Sequence, residues 1–357
     1  MVKLMNRILL VLLPFTLLSI DHIQGQDPLF SQFYALPTYL NPALTGGFNA
    51  KYRVSTIYRD QWSGPLEQSI SSFAAGLDLR FDLKSQALAG DVVAAGLQFF
   101  SDQAGSLDLS TNSIAVSGAF HKSLDRSNKN YLSAGFQLST VQRNVLYENL
   151  YFQDQFDGVN AYSGATGEDL PTNNYSFTDA AVGVNFVGET SLGLQFFVGG
   201  AVQHIMEPEI SFYKKDDDEA QQALSSSNLF RRYTGHAGIT TALNDDISIS
   251  PRAFFTTMGP HMQASIGNNF IIEPSSTDAF NFHVGAWLRV VQDFDQPVAL
   301  DVLGLMSGVG MGNLFIGLSY DINLRDLTQY GTRQGSFELS LSYFGDYEDE
   351  GSACPTF

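Results

Sequence analysis

Long stretches of the chain alternate between apolar residues and polar or small ones. Every second residue between Phe73 and Phe81 is apolar, and the same period of two recurs over 314–324 and 337–344. This period places the two sets of side chains on opposite faces of a β-strand. Strands of globular proteins usually have about 5–6 residues. The longer runs in this chain favour membrane-spanning strands, which need about 9–11 residues.

The alternation predicts an all-β chain: a transmembrane antiparallel outer-membrane β-barrel of about fourteen strands. Short turn signals such as Asn244-Asp245 and Met258-Gly259-Pro260 separate several of them. The predicted strands span 51–61, 68–81, 91–101, 107–122, 130–143, 175–187, 191–204, 230–243, 245–257, 261–273, 278–292, 296–306, 311–324 and 334–345.

The two longest predicted connections, 144–174 and 205–229, follow the fifth and seventh strands. Outer-membrane barrels usually have an even strand count, short periplasmic turns and long external loops. With fourteen strands, both connections fall on the same side. We therefore expect them outside the cell, with the N and C termini in the periplasm.

Residues 1–25 have the pattern of a secretory signal peptide. Lys3 and Arg7 precede the apolar run 8–20, which is too short to span a bilayer as a helix. We expect cleavage after Gly25, and an uncleaved anchor is the alternative. The expected organisation is a signal peptide at 1–25, an N-terminal segment at 26–50, the barrel at 51–345 and a periplasmic tail at 346–357.

Charge excludes one class of partner. The chain has 37 acidic and 19 basic residues, a formal net charge of −18, which argues against nucleic acid because a phosphate backbone needs a basic surface. Charged residues make up only 16% of the chain, against about 25% in soluble domains. This composition suits a protein whose apolar surface faces outer-membrane lipid.

The sequence offers little support for catalysis or a metal centre. Its single cysteine, Cys354, excludes an internal disulfide and a zinc site of several cysteines. The six histidines lack metal-binding spacing, and no nucleophile elbow or phosphate loop is present. We predict no enzyme and no cofactor, although a lipase-like pair of a serine with His121 or His283 remains an alternative.

The segment 26–50 is predicted to lie at the barrel or inside its lumen. Pro28, Pro37 and Pro42 each remove a ladder donor, so the segment is not a central strand. It is expected either to plug the lumen, to meet a partner from the periplasmic side, or to pack against the barrel mouth for stability alone.

Clustered carboxylates mark both long connections. One contains Asp154, Asp157 and Glu168, and the other contains the run 216–219. Such groups could bind Ca²⁺, but the full calcium-loop spacing is missing. A solvated acidic face is the alternative, and we expect contact with a partner rather than with a metal.

Four motifs occur in order along the chain. Asp27-Pro28-Leu29-Phe30-Ser31-Gln32-Phe33-Tyr34 is followed by 40–46, which reads Leu-Asn-Pro-Ala-Leu-Thr-Gly. A second motif occupies 152–158, a third combines 320–324 with 337–343, and the chain ends Cys354-Pro355-Thr356-Phe357. Together they resemble the PorP/SprF family of type IX secretion membrane proteins of the Bacteroidetes, over nearly the whole mature chain.

The resemblance implies an outer-membrane barrel of type IX secretion or gliding that docks an exported adhesin by its C-terminal domain, or periplasmic ring and motor proteins. A transport barrel for a small or hydrophobic solute and a purely structural barrel are the alternatives. The motif positions taken as candidate partner-binding residues are Asp27, Pro28, Phe30, Ser31, Gln32, Asn41, Pro42, Gly46, Gln155, Phe156, Asp157, Gly158, Cys354, Pro355 and Phe357.

Overall fold

The chain folds into a closed antiparallel barrel of fourteen strands in a computed structural model. The structure describes residues 27–62, 69–83, 90–105, 109–147, 150–159, 161–162, 164–168, 170–212, 228–274, 280–293, 296–325 and 335–345. Each strand pairs with its neighbours in sequence, and β1 pairs with β14 to close the barrel. The strands are β1 Tyr52–Gln61, β2 Ile70–Asp82, β3 Val92–Ala104, β4 Leu109–Ser123, β5 Tyr131–Asn144, β6 Asn174–Glu189, β7 Gln195–Gln203, β8 Arg232–Ala242, β9 Ile247–Met258, β10 His261–Ile272, β11 Phe280–Asp293, β12 Gln296–Met311, β13 Leu314–Asn323 and β14 Gly335–Gly345.

Regular helix is confined to single turns in the described ranges. The α-helical turn Pro37–Leu40 and the 3₁₀ turn Pro42–Leu44 both lie before β1. No helix in these ranges is long and apolar enough to cross a membrane.

The wall of the barrel has its apolar face outward. Leu77, Leu97, Val116 and Leu138 lie directly opposite one another on β2 to β5, and each is exposed. Their polar sequence neighbours, such as Asp78 on β2, are buried on the inner face. A soluble barrel would reverse this order, so the outward row is the surface that meets lipid hydrocarbon.

The two ends of the barrel differ. At the end where odd-numbered strands finish, here called the loop end, the connections 145–173 and 204–231 are the longest. At the opposite end, the turn end, Gly312 and Asn313 alone join β12 to β13. The prediction that both long connections share one side is therefore confirmed.

Fourteen strands are confirmed, and the two largest errors in their predicted boundaries are at the end of β12 and at the start of β7. β12 continues to Met311 rather than ending near 306. Gly308 and Gly310 lie within the strand, paired with β11 and β13, and a Cβ at these positions would lie 2.7 Å from Phe315 and 2.1 Å from Asn281. Similarly, the expected start of β7 at 191 is a turn in which the Thr190 hydroxyl accepts a hydrogen bond from a backbone N–H at 3.2 Å.

Candidate functional site in the barrel lumen

Residues 27–50, here called the plug, run lengthwise through the lumen. At the loop end, Asp27 contacts His204, which follows β7, and Arg232, which begins β8. At the turn end, Arg80 donates a hydrogen bond to the backbone oxygen of Phe48 at 2.7 Å. The prediction that this segment lies at or in the lumen is confirmed.

The direction of the plug corrects one pair of expectations. Residue 27 lies at the same end as the long connections, since it contacts His204. Residue 27 therefore lies on the same side of the membrane as the long loops. The two expectations, external long loops and a periplasmic N terminus, cannot both be correct for residue 27. The expectation from strand parity took the chain to enter β1 directly, whereas the plug first crosses the lumen.

A buried carboxylate of β14 fixes the first motif of the plug. The backbone N–H groups of Ser31 and Gln32 donate to the two carboxylate oxygens of Glu338, at 2.7 and 2.9 Å. The Gln32 side chain donates to Ser319 at 3.1 Å and accepts from Ser340 at 2.8 Å. Since Gln32 and Glu338 are almost fully buried, both side chains are committed inside the barrel.

Arginines of the wall balance these buried acids. Arg59 on β1 pairs with Glu338 at 2.9 Å and also donates to the backbone oxygen of Leu29 at 2.9 Å. Arg289 on β11 pairs with Asp301 at 2.9 Å and with Asp321 at 3.3 Å. Every one of these charges thus has an opposite partner, which is the condition for keeping ions in a low-dielectric interior.

The second motif packs against two glycines of the wall. Asn41 accepts a hydrogen bond from the backbone of Ala43 at 2.8 Å and donates to the backbone oxygen of Val184 at 3.0 Å. A Cβ at Gly183 would lie 1.9 Å from Asn41, and one at Gly135 would lie 2.4 Å from the backbone oxygen of Pro42. The wall therefore has glycine where the Asn-Pro turn makes its closest approach.

Gly46 ends the second motif for a conformational reason. Its φ of 70° lies in the left-handed region, which glycine adopts without the Cβ penalty. A Cβ there would also lie 2.3 Å from the side chain of Ala94. The motif glycine thus turns the plug toward β1.

Aromatic packing holds the loop-end half of the plug. Phe30 meets Tyr39 and Phe100 edge-on, with ring centroids 5.7 and 6.4 Å apart. The Tyr39 hydroxyl donates to the backbone oxygen of Pro28 at 2.6 Å. Pro28 and Phe30 therefore stabilise the plug in the lumen through its own residues and the wall.

The first residue of the plug is held by a histidine between two carboxylates. Nε2 of His204 lies 2.6 Å from Asp27, and its Nδ1 lies 2.6 Å from Asp179. Arg232 also pairs with Asp27, at 2.8 Å. Burial disfavours the charged imidazole, but the Asp27 charge and the two hydrogen bonds outweigh it and raise the pKa of His204 to about 9. Sequence reasoning missed this cluster, here called the latch.

The latch also lowers the pKa of Asp27. Burial alone would raise the pKa of Asp27, but the charges of His204 and Arg232 hold that pKa well below its ordinary value. At neutral pH His204 is therefore protonated on both ring nitrogens and donates to Asp27 and Asp179.

His121 does lie beside a serine, as the lipase-like alternative required. Its Nδ1 is 2.7 Å from the hydroxyl of Ser133, while its Nε2 donates to the backbone oxygen of Thr45 at 2.8 Å. Ser133 and His121 are both buried beneath the plug. A backbone carbonyl stands where a catalytic triad has a carboxylate, so this arrangement attaches the plug to the wall.

The motif residues of the β5–β6 connection lie in a compact exposed loop. Asp157 accepts hydrogen bonds from the backbone of Val159 at 2.8 Å and of Ala161 at 3.1 Å. Gln155 donates to the backbone oxygen of Gly164 at 3.3 Å, and Gly158 has a φ of 82°. These residues shape a loop that exposes Phe156.

Exposed aromatic rings cluster on this loop. Phe156 and Tyr151 each contact Tyr162, with ring centroids 5.2 and 5.6 Å apart. Tyr151 is 74% exposed, and the neighbouring Val159 is 79% exposed. We call Tyr151, Phe156, Val159 and Tyr162 the aromatic loop patch.

A cavity of about 280 Å³ lies between the plug and the barrel wall in the loop-end half of the lumen. Asp27, Gln137, Arg143 and Arg232 are among the residues that line it. Within the described part of the chain, the buried side-chain nitrogen of Gln137 and the Nε of Arg143 have no hydrogen-bond partner. The candidate positions Cys354, Pro355 and Phe357 fall outside the described residues.

These features define an outer-membrane β-barrel whose lumen is filled by its own N-terminal segment. The chain belongs to the PorP/SprF family, because the model of the type IX secretion system membrane protein PorP/SprF matches residues 23–343. The family resemblance of the sequence motifs is thereby confirmed. No curated protein sequence matches the chain significantly.

Solved barrels of low sequence identity overlap most of the chain. A Pseudomonas aeruginosa FadL homologue is 12% identical with a TM-score of 0.48, covering 86% of this chain and 93% of its own. A TodX monoaromatic hydrocarbon channel mutant is 10% identical with a TM-score of 0.47 and the same two coverages. CdiB from Acinetobacter baumannii is 9% identical with a TM-score of 0.42, covering 82% of this chain and 60% of its own.

Proposed function

We propose that this barrel docks an exported protein of the type IX system at its loop end, and that its mechanism is binding without chemistry. Membership in a family of type IX secretion membrane proteins supports a role in that system. The observation that carries the proposal is the filled lumen beneath an exposed aromatic loop patch. A barrel that is closed by its own chain is suited to holding a partner rather than to passing a solute.

The aromatic loop patch is the proposed contact surface. Exposed aromatic side chains dominate the energetics of many protein interfaces, since each buries a large area with few rotatable bonds. Hydrogen bonds within the loop, such as that from Thr166 to Asp154 at 3.1 Å, hold the patch in one shape before binding. Less conformational freedom is then lost when a partner docks.

The loop-end cavity is the second part of the proposed contact. The side-chain nitrogen of Gln137 and the Nε of Arg143 have no acceptor in the described residues, and each can donate to a backbone carbonyl or a carboxylate of a partner. A partner strand or chain terminus that enters this cavity would supply them. Of the plug, Asp27, Pro28 and Tyr39 line this cavity. The motif residues from Ser31 to Gly46 then act by holding the plug in the lumen rather than by touching the partner.

The proposal includes a sidedness. The loop end faces outside the cell, and the turn end with the tail 346–357 faces the periplasm, where ring or motor proteins of the machinery would meet it. Long external loops are the rule for outer-membrane barrels. The rival role in solute transport would require the plug to leave the lumen and break the Glu338 contacts with Ser31 and Gln32.

Co-purification tests the docking role. The tagged protein is extracted from its native membrane in mild detergent, and the proteins that accompany it are identified by mass spectrometry. We expect an exported protein with a C-terminal sorting domain. The triple variant Tyr151→Ser, Phe156→Ser, Tyr162→Ser should lose it, whereas Leu192→Ser, which changes an apolar residue that is still more exposed and lies at the turn end, should retain it. Equal recovery with both variants would refute the patch.

A further inference from the structure

The turn end of the lumen holds a second cavity, of about 320 Å³. Tyr34, Ala35 and Asn49 of the plug form its inner side. Gly312 and Asn313, which make the turn between β12 and β13, also line it. The cavity therefore lies between the plug and the turn end of the barrel.

The described residues that line this cavity carry no negative charge. They include Arg53 and Arg252 but no aspartate or glutamate, which is unusual in a chain with 37 acidic and 19 basic residues. The side-chain amides of Gln195 and Asn281 add neutral hydrogen-bond donors to the lining. The lining thus favours a ligand that accepts hydrogen bonds.

Arg252 is the charge in this cavity that lacks a partner of opposite sign. Alternation along β9 turns it into the lumen, since the neighbouring inward side chain of Phe254 is buried and that of Phe255 is exposed on the outer face. Its Nε donates to Ser250 at 3.2 Å, and its guanidinium lies 4.7 Å from the centroid of the Tyr34 ring. In the described part of the chain no carboxylate pairs with Arg252.

Other arginines of the lumen show the contrast. Each of the following pairs with a carboxylate of the chain: Arg53, Arg59, Arg80, Arg232 and Arg289. A charge inside a protein is costly unless it is paired. The guanidinium of Arg252 therefore favours an anion from outside the chain, and its planar fork matches the two oxygens of a carboxylate.

Apolar side chains beside Arg252 restrict the ligand further. Ile271, Leu314, Phe315 and Phe344 line the same cavity. An inorganic anion would leave these surfaces without a contact, whereas an acid with an apolar body would bury them. The lining therefore suits a carboxylate joined to an aromatic or aliphatic group.

We propose that the turn-end cavity binds an organic carboxylate whose acid group pairs with Arg252 and whose apolar body packs against Phe315 and Phe344. A free acid and the C-terminal residue of a peptide chain both have this chemistry. The inference is independent of the docking role at the loop end, since it concerns the opposite end of the plug.

Calorimetry on the full-length protein in detergent tests the proposal. The probe is N-acetylphenylalanine, and its amide, N-acetylphenylalaninamide, is the uncharged counterpart. We expect the acid to bind at least tenfold more tightly than the amide. Loss of a charge-assisted hydrogen bond in Arg252→Gln should weaken the acid about tenfold and leave the amide unchanged.

Arg231→Gln is the matched control, since this arginine is 45% exposed and pairs with Glu207; it should bind the acid as the wild type does. Absence of binding by the acid, equal binding of acid and amide, or an unchanged affinity in Arg252→Gln would overturn the proposal.

A second variant keeps Arg252 in place. Gln195→Glu adds a carboxylate of nearly the same shape to the lining, where it should compete with the ligand for the guanidinium and weaken the acid about tenfold. Gln142→Glu, at an exposed position of the loop end, makes the same chemical change and should have no effect. The same affinity in both variants would contradict the assignment of the acid group to this cavity.

A longer probe distinguishes the two sources of the carboxylate. The acetylated tetrapeptide of three alanines and a C-terminal phenylalanine is compared with N-acetylphenylalanine. Tighter binding of the tetrapeptide would support a chain terminus as the ligand, and equal or weaker binding would support a free acid; both are forms of the proposed site. Binding of either probe that persists undiminished in Arg252→Gln would refute it.

Discussion

The backbone N–H of Gln32 donates a hydrogen bond to Glu338 at 2.9 Å, although 306 residues separate the two in sequence. This contact joins the first family motif to the third, and it does so inside the barrel. The motifs therefore encode the attachment of a plug to the wall. Gln32 and Glu338 are buried and bind one another. Their first role is therefore to hold the plug rather than to contact a partner.

Removing the charge of Glu338 should weaken the attachment of the plug to the barrel wall. In Glu338→Gln, the buried Arg59 loses the ion pair at 2.9 Å and keeps only its longer ion pair with Asp321 at 3.7 Å. Complete loss of the partner of a buried charge costs about 3–5 kcal/mol, so this figure is the upper bound here. We expect a lower denaturant midpoint for unfolding in detergent. Glu168→Gln alters an exposed glutamate and serves as the control. An unchanged midpoint for Glu338→Gln would show that the carboxylate does not hold the plug.

A methyl group on the wall should displace the Asn-Pro turn. Gly135→Ala and Gly183→Ala place a Cβ within 2.4 and 1.9 Å of the plug, and overpacking of this kind costs about 1–3 kcal/mol. Gly235→Ala is the matched control, because nothing lies within 4 Å of its Cβ position. Protease cleavage within residues 27–50 should increase in the first two variants. The same susceptibility in all three would contradict the close approach.

The latch should weaken at alkaline pH. The pKa of His204 is raised from 6.5 to about 9, so its contribution to stability is complete below pH 6.5 and is lost as the pH rises through 9. The lowered pKa of Asp27 acts at the other extreme, where its contribution is lost only in acid, below its ordinary value of 3.8.

An NMR titration of the His204 imidazole checks this prediction. We expect a midpoint near pH 9 in the wild type and a shift toward 6.5 in Asp27→Asn, which removes the neighbouring charge. A midpoint near 6.5 in both proteins would mean that Asp27 does not contact His204.

The barrel was predictable because its signal is local. Alternation over runs such as 314–324 fixes which face meets lipid, and turn residues such as Met258-Gly259-Pro260 mark where strands end. The path of the plug through the lumen was harder to predict from the sequence. The prolines exclude residues 26–50 from a central strand, but only the tertiary structure shows that residue 27 reaches the loop end.

The latch and the Glu338 contacts escaped sequence reasoning for a physical reason. They join residues far apart in the chain, and no spacing rule connects Asp27 with His204. One signal was present: charged residues such as Asp321 and Glu338 occur at inward positions of strands, where burial is costly unless a partner exists. Buried charges on a predicted luminal face therefore point to an occupant of the lumen.

Single-channel conductance in a planar bilayer tests the central claim, which is that the barrel is closed by its own N-terminal segment and therefore works by binding. The intact protein should show no stepwise conductance, and deletion of residues 27–46 should produce stable open steps. Open steps of the same size in the intact protein and in the deletion variant would contradict the account and favour a transport barrel.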